Sequence, residues 1–260
     1  MSTRRIVPAL IAACLIALMP IALAAQGRGQ GRGNPNPLRM LTKTIYTPNT
    51  EFFAVYRPYV VGQEGRLTAH MSRITDRFEA YPENSQLSLT LNIGSKTMEV
   101  AKPTEVERSG HFAFAFTPTV AGRGSATLVL TTPQGTERFV IDNIVVEPDL
   151  QTAIAHQGAA PPPDGSIRYS KENAWDGRFL TMPAAKVAVA SGTPAVLAVP
   201  KTAIVQIDGQ SRLYVQRDPE AYFLRPVKTG EGNDKFVAVV DGVREGDRVV
   251  TLGAEKMPRK

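Results

Sequence analysis

The chain has 260 residues and carries 30 lysines and arginines against 24 acidic residues, which gives a formal net charge of +6 at neutral pH. This surplus is small and spread along the chain, so it does not indicate binding to nucleic acid. Cys14 is the single cysteine. An intrachain disulfide is therefore excluded, and a chain of this length can bury a core without one.

The first 24 residues have the features of a secretory signal. Arg4 and Arg5 give a basic start, an apolar run covers residues 6–23, and Ala22 and Ala24 supply the small residues of a cleavage site. We expect cleavage after Ala24 and export of the remaining chain. Loss of the two arginines would take the net charge from +6 to +4 and would also remove the cysteine.

Two alternatives to cleavage are open. Residues 1–24 could stay attached as a membrane anchor, although Pro8 and Pro20 interrupt the apolar run and its length is near the lower limit for a span. The sequence IAAC at residues 11–14 also fits the loose pattern of a lipid-modified cysteine, although few apolar residues precede it.

Residues 25–40 are predicted to form a disordered linker. The segment QGRGQGRGNPNP is rich in Gly, Arg, Asn and Pro and has no apolar side chain to bury. Arginine-glycine repeats also occur in segments that bind RNA or anionic surfaces. In an exported chain the composition favours a solvated spacer.

Residues 41–148 are predicted to form an all-β, immunoglobulin-like sandwich. Leu87 and Leu89 alternate with polar residues, and Phe112 and Phe114 alternate with alanines. Period-two alternation places the large side chains on one face of a sheet, which a second sheet would cover. Seven apolar runs with turn residues between them support this fold, and no helix of useful length is apparent. The runs are EFFAVYRPYVV, GRLTAHMSRI, QLSLTLNI, TMEVA, HFAFAFT, SATLVLTT and ERFVIDNIVVE.

A proline-rich linker over residues 149–165 is predicted to join the sandwich to a second β-domain over residues 166–257. In the second domain the apolar runs AIVQI, RLYVQ, FVAVV and DRVVTL are separated by Asp- and Gly-containing turns, the pattern of short strands. Asp208-Gly209 favours a type I′ hairpin because both residues tolerate positive φ. We expect Ile207 and Arg212 to flank that turn.

Among the three histidines, His70 is the one considered as a metal ligand, because a His-Met pair would suit a soft ion such as Cu(I). Adjacent strand residues point to opposite faces, so His70 and Met71 would not easily share an ion. A hydrogen-bonded structural histidine is the favoured interpretation. His111 and His156 show no paired ligand spacing, and we predict no metal site and no cofactor.

The sequence gives no indication of catalysis. No Ser-His-Asp order in the sequence suggests a catalytic triad, and a G-x-S-x-G motif is missing. Residues 122–124 (GRG) lack the further glycine and the helix pattern of a dinucleotide-binding loop, so they are interpreted as a turn. Glu105 and Glu107 are interpreted as a solvated strand edge. We therefore do not expect an enzyme.

Two side chains of the second domain receive structural interpretations. Trp175, the only tryptophan, is expected to anchor the core where the second domain begins. Arg225 is expected to face solvent or to cap a carboxylate such as Asp241 or Asp247.

The C-terminal stretch carries a set of motif elements in a fixed order: VP-x-x-A-[IV]-V, a hairpin, YV, RPV-x-x-G and G-[VL]-x-x-G-D-x-VV-x-x-G. This order resembles the C-terminal, membrane-proximal part of periplasmic adaptor proteins. These are the hemolysin-D-type membrane fusion proteins of resistance-nodulation-division efflux pumps. The matching residues are Val199-Pro200, Ala203 to Val205, Tyr214-Val215, Arg225 to Val227, Gly230, Gly242-Val243, Gly246-Asp247, Val249-Val250 and Gly253.

Two other segments resemble the same family. Residues 59–75 (YVVGQEGRLTAHMSRIT) are similar to a stretch of the N-terminal β-domain of heavy-metal-type adaptors. Residues 167–181 follow the pattern I-x-[FY]-x-K-E-x-x-W-x-x-x-F-x-T, which in the family forms early strands of the membrane-proximal domain. The resemblance covers residues 46–257 except for a missing middle.

The missing middle is the family's excursion into a β-barrel, a lipoyl-like domain and an α-helical hairpin. Here the chain passes from Val189 through SGTP directly to Val196, and no long heptad-like stretch follows Ala185. Because the loss falls between two parts of one domain, we expect the outgoing and returning strands still to pair.

The resemblance implies a periplasmic place in a tripartite efflux system, in contact with an inner-membrane pump. Without the hairpin, the chain is expected to be a shortened or accessory adaptor that docks on the pump, alone or beside a full-length adaptor. It would associate with the membrane through these partners and would not bridge to the outer-membrane channel. Two alternatives are open: a soluble periplasmic metal-binding or chaperone module, and a non-functional remnant of a full-length adaptor.

Overall fold

The computed structural model describes residues 36–161 and 163–259. The predicted signal over residues 1–24 and the linker up to residue 35 lie outside the described residues. From residue 37 onward, the described residues form one compact unit. Most of the described chain is strand, which confirms the all-β class. None of the described helices is long and apolar enough to cross a membrane.

Two facing sheets make up the N-terminal half. Sheet A has the strand order β1-β2-β4-β9-β8, with β5 paired to β4, and sheet B has the order β3-β11-β10-β6-β7. The strands are β1 (Leu41–Tyr46), β2 (Thr50–Tyr56), β3 (Tyr59–Val60), β4 (Gly65–Ile74), β5 (Phe78–Ala80), β6 (Gln86–Ile93), β7 (Lys96–Val100), β8 (Glu105–Arg108), β9 (His111–Phe116), β10 (Gly122–Thr132) and β11 (Gly135–Glu147).

The apolar alternation of β6 gives one buried face, as predicted. Leu87, Leu89 and Leu91 point into the space between the sheets, where they join Phe112 and Phe114 of β9. Strand β9 differs from the expected half-buried pattern, because its other face is buried as well. The outer face of sheet A is therefore covered by another part of the chain.

Three strands of the N-terminal half have no counterpart among the predicted runs: β1, β5 and β8. All four residues of β8 are exposed, and Arg66 pairs with Glu105 at 2.7 Å and with Glu107 at 3.0 Å. The interpretation of these two acids as a solvated strand edge is confirmed. Exposed, charged edge strands lack an apolar pattern, so the sequence signal for β8 is weak.

The turn predicted at residues 122–124 is wrong, because these residues begin β10. The register of β10 on β11 shifts after Gly124, where Asn143 is left unpaired with φ +60°. This is a β-bulge, which bends a strand without ending it. A Cβ on Gly124 would overlap the carbonyl oxygen of Asn92, so the glycine permits close strand approach.

The predicted linker over residues 149–165 contains a helix, α1 (Leu150–His156), whose first turn is capped by Asp149. Ala153 of this helix packs against Val60 and Leu38. Leu38 belongs to the stretch predicted to be disordered, and it is buried. The expectation of disorder is therefore wrong at this end of residues 25–40, because Leu38 finds an apolar partner in α1.

Two further sheets make up the C-terminal half. Sheet C has the order β12-β18-β17-β21-β13, with β16 paired to β17, and sheet D has the order β14-β15-β20-β19. The elements are β12 (Ile167–Arg168), α2 (Lys171–Asp176), β13 (Leu180–Pro183), β14 (Ala185–Val187), β15 (Val196–Pro200), a 3-10 turn (Lys201–Ala203), β16 (Val205–Ile207), β17 (Gln210–Asp218), β18 (Ala221–Pro226), β19 (Lys228–Gly232), β20 (Phe236–Asp241), β21 (Arg248–Leu252) and a second 3-10 turn (Ala254–Lys256).

The hairpin at Asp208-Gly209 forms as predicted. Both residues have positive φ, +53° and +72°, and the first pair of the ladder joins Ile207 to Gln210. Arg212, the expected second flank, instead pairs with Val205, two residues further along the ladder. A two-residue type I′ turn closes directly on its neighbours, which explains the shift.

The outgoing and returning strands also pair as expected. Strand β14 lies antiparallel to β15, with Val187 opposite Val196 and Ala185 opposite Ala198. At the other end of this half, the motif glycine Gly253 has φ +86°, and a Cβ there would lie 2.5 Å from the carbonyl oxygen of Arg178. Glycine thus lets β21 end against the segment that precedes β13.

Candidate functional site

The C-terminal half packs on the outer face of sheet A, through α2 and through Gln216 and Arg248 of sheet C. We call this contact the seam, and define it by the polar and aromatic residues Tyr46, Glu51, Ser72, His70, His111, Lys171, Glu172, Trp175 and Gln216. It explains why β2 and β9 are buried on both faces.

The centre of the seam is an ion pair between Glu51 of β2 and Lys171 of α2. Their side chains are 0% and 1% exposed. Glu51 also accepts hydrogen bonds from the Ser72 hydroxyl at 3.0 Å and the Tyr46 hydroxyl at 2.8 Å. The Lys171 ammonium lies 4.5 Å from the centre of the Phe78 ring. A buried charge is tolerated when it is paired and its remaining lone pairs are satisfied, as they are here.

Trp175 of α2 forms the second contact of the seam. Its indole N–H donates to the Ser72 hydroxyl at 2.9 Å. Gly110, with φ +81°, lies beneath the ring, and a Cβ there would lie 2.5 Å from the nearest ring carbon. The tryptophan was expected to anchor the core of the second domain. It packs beside that core, and it also anchors α2 to sheet A.

His70 lies on the seam side of β4, directly opposite His111 of β9. Met71 is buried on the other face, in the core between the sheets, so the two neighbouring side chains point away from each other. The ring centres of His70 and His111 are 4.3 Å apart. Burial and the neighbouring His111 lower the pKa of His70 to about 3, so its imidazole is neutral at physiological pH.

The expected hydrogen bond of His70 is missing at Nδ1, which is buried without a partner among the described residues. The His111 Nε2 atom lies 2.6 Å from Glu172, whose carboxylate also pairs with Arg108 at 3.3 Å. Burial alone would raise the pKa of Glu172. Hydrogen bonds from Ser170, from its own backbone N–H and from His111 outweigh burial and lower that pKa to about 2.

A metal site with three protein ligands is not formed by the described residues. The histidine pair itself was missed by sequence reasoning, because 41 positions separate its members and only the β4–β9 register brings them together. Residue spacing carries no signal for such a contact.

A third contact of the seam joins Tyr46 to sheet C. The Gln216 side-chain amide donates to the Tyr46 hydroxyl at 2.8 Å, and the Arg248 guanidinium lies 3.7 Å from the centre of the Tyr46 ring. Burial and the nearby Glu51 carboxylate raise the pKa of Tyr46 well above its usual value. The phenol is therefore neutral and serves as a hydrogen-bond donor and acceptor.

Two other side chains that the sequence analysis considered, Arg225 and His156, lie outside the seam. Arg225 donates to Asp247 at 3.3 Å, which confirms one of the two predicted partners. His156 lies on α1 and pairs with Glu147 at 3.0 Å. Neither arrangement brings a nucleophile next to a base, and both contacts are structural.

The geometry of the seam suits mechanical coupling of two β-units. Its polar groups are buried, are mostly paired with one another, and come from opposite sides of the contact. Buried, satisfied polar networks allow few alternative packings, so they fix the relative orientation of the elements that carry them.

Comparison with known protein families gives one match. The family model for the CzcB C-terminal circularly permuted SH3-like domain matches residues 197–254. Comparison with curated proteins and with solved structures finds no match. The matched residues run from β15 to the turn after β21, the stretch that carries the adaptor motifs. The matching family model is SH3-like, whereas the sequence motifs predicted a membrane-proximal type of β-domain over residues 166–257. The match is to a domain of heavy-metal efflux adaptors, it is confined to residues 197–254, and it suggests an adaptor-type role.

Proposed function

We propose that the protein is a shortened or accessory periplasmic adaptor that docks on the inner-membrane pump of an efflux system. The observation that carries this proposal is the match of residues 197–254 to an adaptor domain. The direct pairing of β14 with β15 supports the shortened form, because it closes sheet D at the point where the family's excursion would begin.

The outer face of sheet D offers a surface for docking. Val187 lies opposite Val196. If the β15–β20 register continues two residues beyond Ala198–Ala238, Val196 lies opposite Val240. Val196 is 38% exposed and Val240 is 73% exposed. Exposed apolar side chains on neighbouring strands, here Val196 and Val240 beside the half-buried Val187, are typical of a contact surface, because water solvates apolar groups poorly.

The test is affinity capture of the tagged, full-length protein from detergent-solubilised membranes of its own cell. We expect the inner-membrane pump among the captured proteins. Val240→Glu should reduce capture, because a carboxylate would be desolvated in the contact. Val140→Glu is the matched control, since Val140 is also exposed, at 37%, but lies on β11 of the sandwich. Capture of an outer-membrane channel without any pump would refute the proposal.

A metal-binding module remains a second candidate, favoured by one observation. His70 and His111 are in contact, and Nδ1 of His70 has no partner in the described chain. Imidazole nitrogens bind Cu(I), Ag(I) and Zn(II). Titration with these ions tests this candidate: micromolar or tighter binding that is lost in His70→Ala would support it. Equal binding by His70→Ala and the parent protein would reject it.

A further inference from the structure

One cleft of the described residues lies far in sequence from residues 197–254, which match the adaptor domain. Its volume is about 670 Å³, within the range of roughly 300–1,000 Å³ typical of small-molecule sites. It is formed where the start of β1, the end of β11 and helix α1 come together. Nothing in the proposed adaptor function uses it.

One wall of the cleft is apolar and open to water. Met40 and Leu41 are 59% and 42% exposed, and they are among the most exposed large apolar residues in the described chain. Tyr56 and Val145 continue this wall. Adjacent exposed apolar side chains that line one concave surface are a feature of ligand sites, whereas scattered ones are not.

The polar part of the cleft is mainly cationic. Arg39 is fixed at its rim, since its backbone N–H donates to the Gln157 side chain at 2.9 Å and its guanidinium donates to the Ala159 carbonyl at 2.5 Å. Arg123 lies across from Val145 on the β10–β11 ladder and forms no ion pair within the described chain. The lining carboxylate, Glu147, is already paired with His156 at 3.0 Å.

The β-bulge of β11 contributes to the same cleft. Asn143, the unpaired residue at φ +60°, lines it beside Val145. Bulges commonly redirect a side chain beside a binding site. The amide of Asn143 can donate a hydrogen bond to an anionic group held by the two arginines.

From this arrangement we propose that the cleft binds an amphiphile with an anionic headgroup, a carboxylate or a phosphate on an alkyl chain. The guanidinium of Arg123, with that of Arg39, holds the headgroup, because arginine forms strong, paired hydrogen bonds to both anions. The alkyl chain lies along Met40, Leu41 and Tyr56. The occupant is either a free amphiphile or the headgroup end of a membrane lipid.

The test uses the full chain and calorimetric titration with four dodecyl probes below their micelle concentrations. Dodecanoate and dodecyl phosphate should bind, while dodecyltrimethylammonium and dodecyl maltoside should bind at least about tenfold more weakly. Arg123→Ala should weaken dodecanoate binding by about tenfold or more. Arg138→Ala is the matched control: Arg138 is exposed on β11, the strand paired with β10, but does not line the cleft, and its loss should change nothing.

A second variant distinguishes loss of binding from misfolding. Met40→Glu alters an exposed side chain, so it should fold normally and still weaken dodecanoate binding by charge repulsion. Flotation with phosphatidylglycerol vesicles distinguishes a membrane lipid from a free amphiphile as the occupant of the cleft. Vesicle binding that Arg123→Ala abolishes indicates a membrane lipid, and dodecanoate binding without flotation indicates a free amphiphile.

Three results would overturn the proposal. The first is equal binding of the anionic, cationic and neutral probes. The second is equal dodecanoate affinity for Arg123→Ala and Arg138→Ala. The third is binding of an acidic extended peptide to the cleft with no binding of dodecanoate or vesicles, which would make it a peptide site. None of these outcomes depends on the pump, so failure here is distinct from failure of the adaptor proposal.

Discussion

Lys171 is the residue on which the seam depends most strongly. It is the cation that neutralises Glu51, and both side chains are fully buried. Tyr46 and Ser72 also donate to the carboxylate, but hydrogen bonds from neutral hydroxyls do not compensate a buried charge.

Lys171→Met keeps the length of the side chain and removes its charge. We expect the free energy of unfolding to fall by about 3–5 kcal/mol, because Glu51 is then buried without a counter-ion. The double variant with Glu51→Gln should recover much of this loss, since no unpaired charge remains. Urea unfolding of the two variants measures both effects. A single variant as stable as the parent protein would show that the pair does not hold the seam.

The lowered pKa of His70 predicts that the stability of the folded protein depends on pH. The pKa of His70 falls from 6.5 in the unfolded chain to about 3 in the folded protein. Between pH 6.5 and pH 3 the unfolded chain binds a proton on His70 that the folded protein does not bind. The contribution of His70 to folding stability is therefore fully present above pH 6.5 and is lost as the pH falls. The expected slope is at most about 1.4 kcal/mol per pH unit.

Urea midpoints measured between pH 7 and pH 4.5 test this dependence. The lower limit avoids the titration of Glu172, whose lowered pKa contributes stability that is lost only below about pH 4.5. His70→Phe should flatten the profile. An unaltered slope in His70→Phe would mean that another group controls acid stability.

At the scale of elements, helix α2 is held to sheet A by the contact of Trp175 with Gly110. Gly110→Ala adds a methyl group where the indole ring already lies, at a position with φ +81°. We expect a loss of stability of about 2–4 kcal/mol, the sum of backbone strain and overpacking. The fluorescence of the single tryptophan should shift to longer wavelength as α2 lifts from the sheet.

Gly94→Ala is the control for this substitution. Gly94 also has positive φ, at +56°, but nothing lies within 4 Å of its added Cβ. Gly94→Ala should lose stability through backbone strain, and its tryptophan fluorescence should not shift. A fluorescence shift of equal size in both variants would show that the contact between Gly110 and Trp175 does not cause the shift.

The elements that the sequence predicted well have local causes. The hairpin at Asp208-Gly209 follows from two residues that tolerate positive φ, and the buried face of β6 follows from its alternating leucines. Helix α2 was missed because six residues are too few to show a helical period, although Ser170 caps it. Helix α1 was hidden in a stretch that composition marks as a linker.

The seam could not be predicted, because its contacts depend on tertiary structure. Glu51 and Lys171 are 120 positions apart, and Ser72 and Trp175 are 103 apart. Each residue alone resembles an ordinary surface acid, base or hydroxyl. Only packing of α2 on sheet A shows that they satisfy one another.

At the scale of the whole molecule, the seam connects the part of the chain that matches an adaptor domain to the sandwich. The contact between the two halves consists of buried, paired groups. This arrangement suits an adaptor, since docking at one end then fixes the orientation of the other. The amphiphile cleft belongs to the sandwich side, so the two proposed contacts are spatially distinct on the chain.

The central claim is that the C-terminal half docks on an inner-membrane pump through the outer face of sheet D. The most direct test places a photo-crosslinking residue at position 240 in the living cell, with the same residue at position 140 as control. Val240 and Val140 are both exposed, on opposite halves of the described chain. A cross-link to the pump from position 240, and none from position 140, is the predicted result. Cross-links to the pump from position 140 alone, or to no membrane protein from either position, would contradict the account.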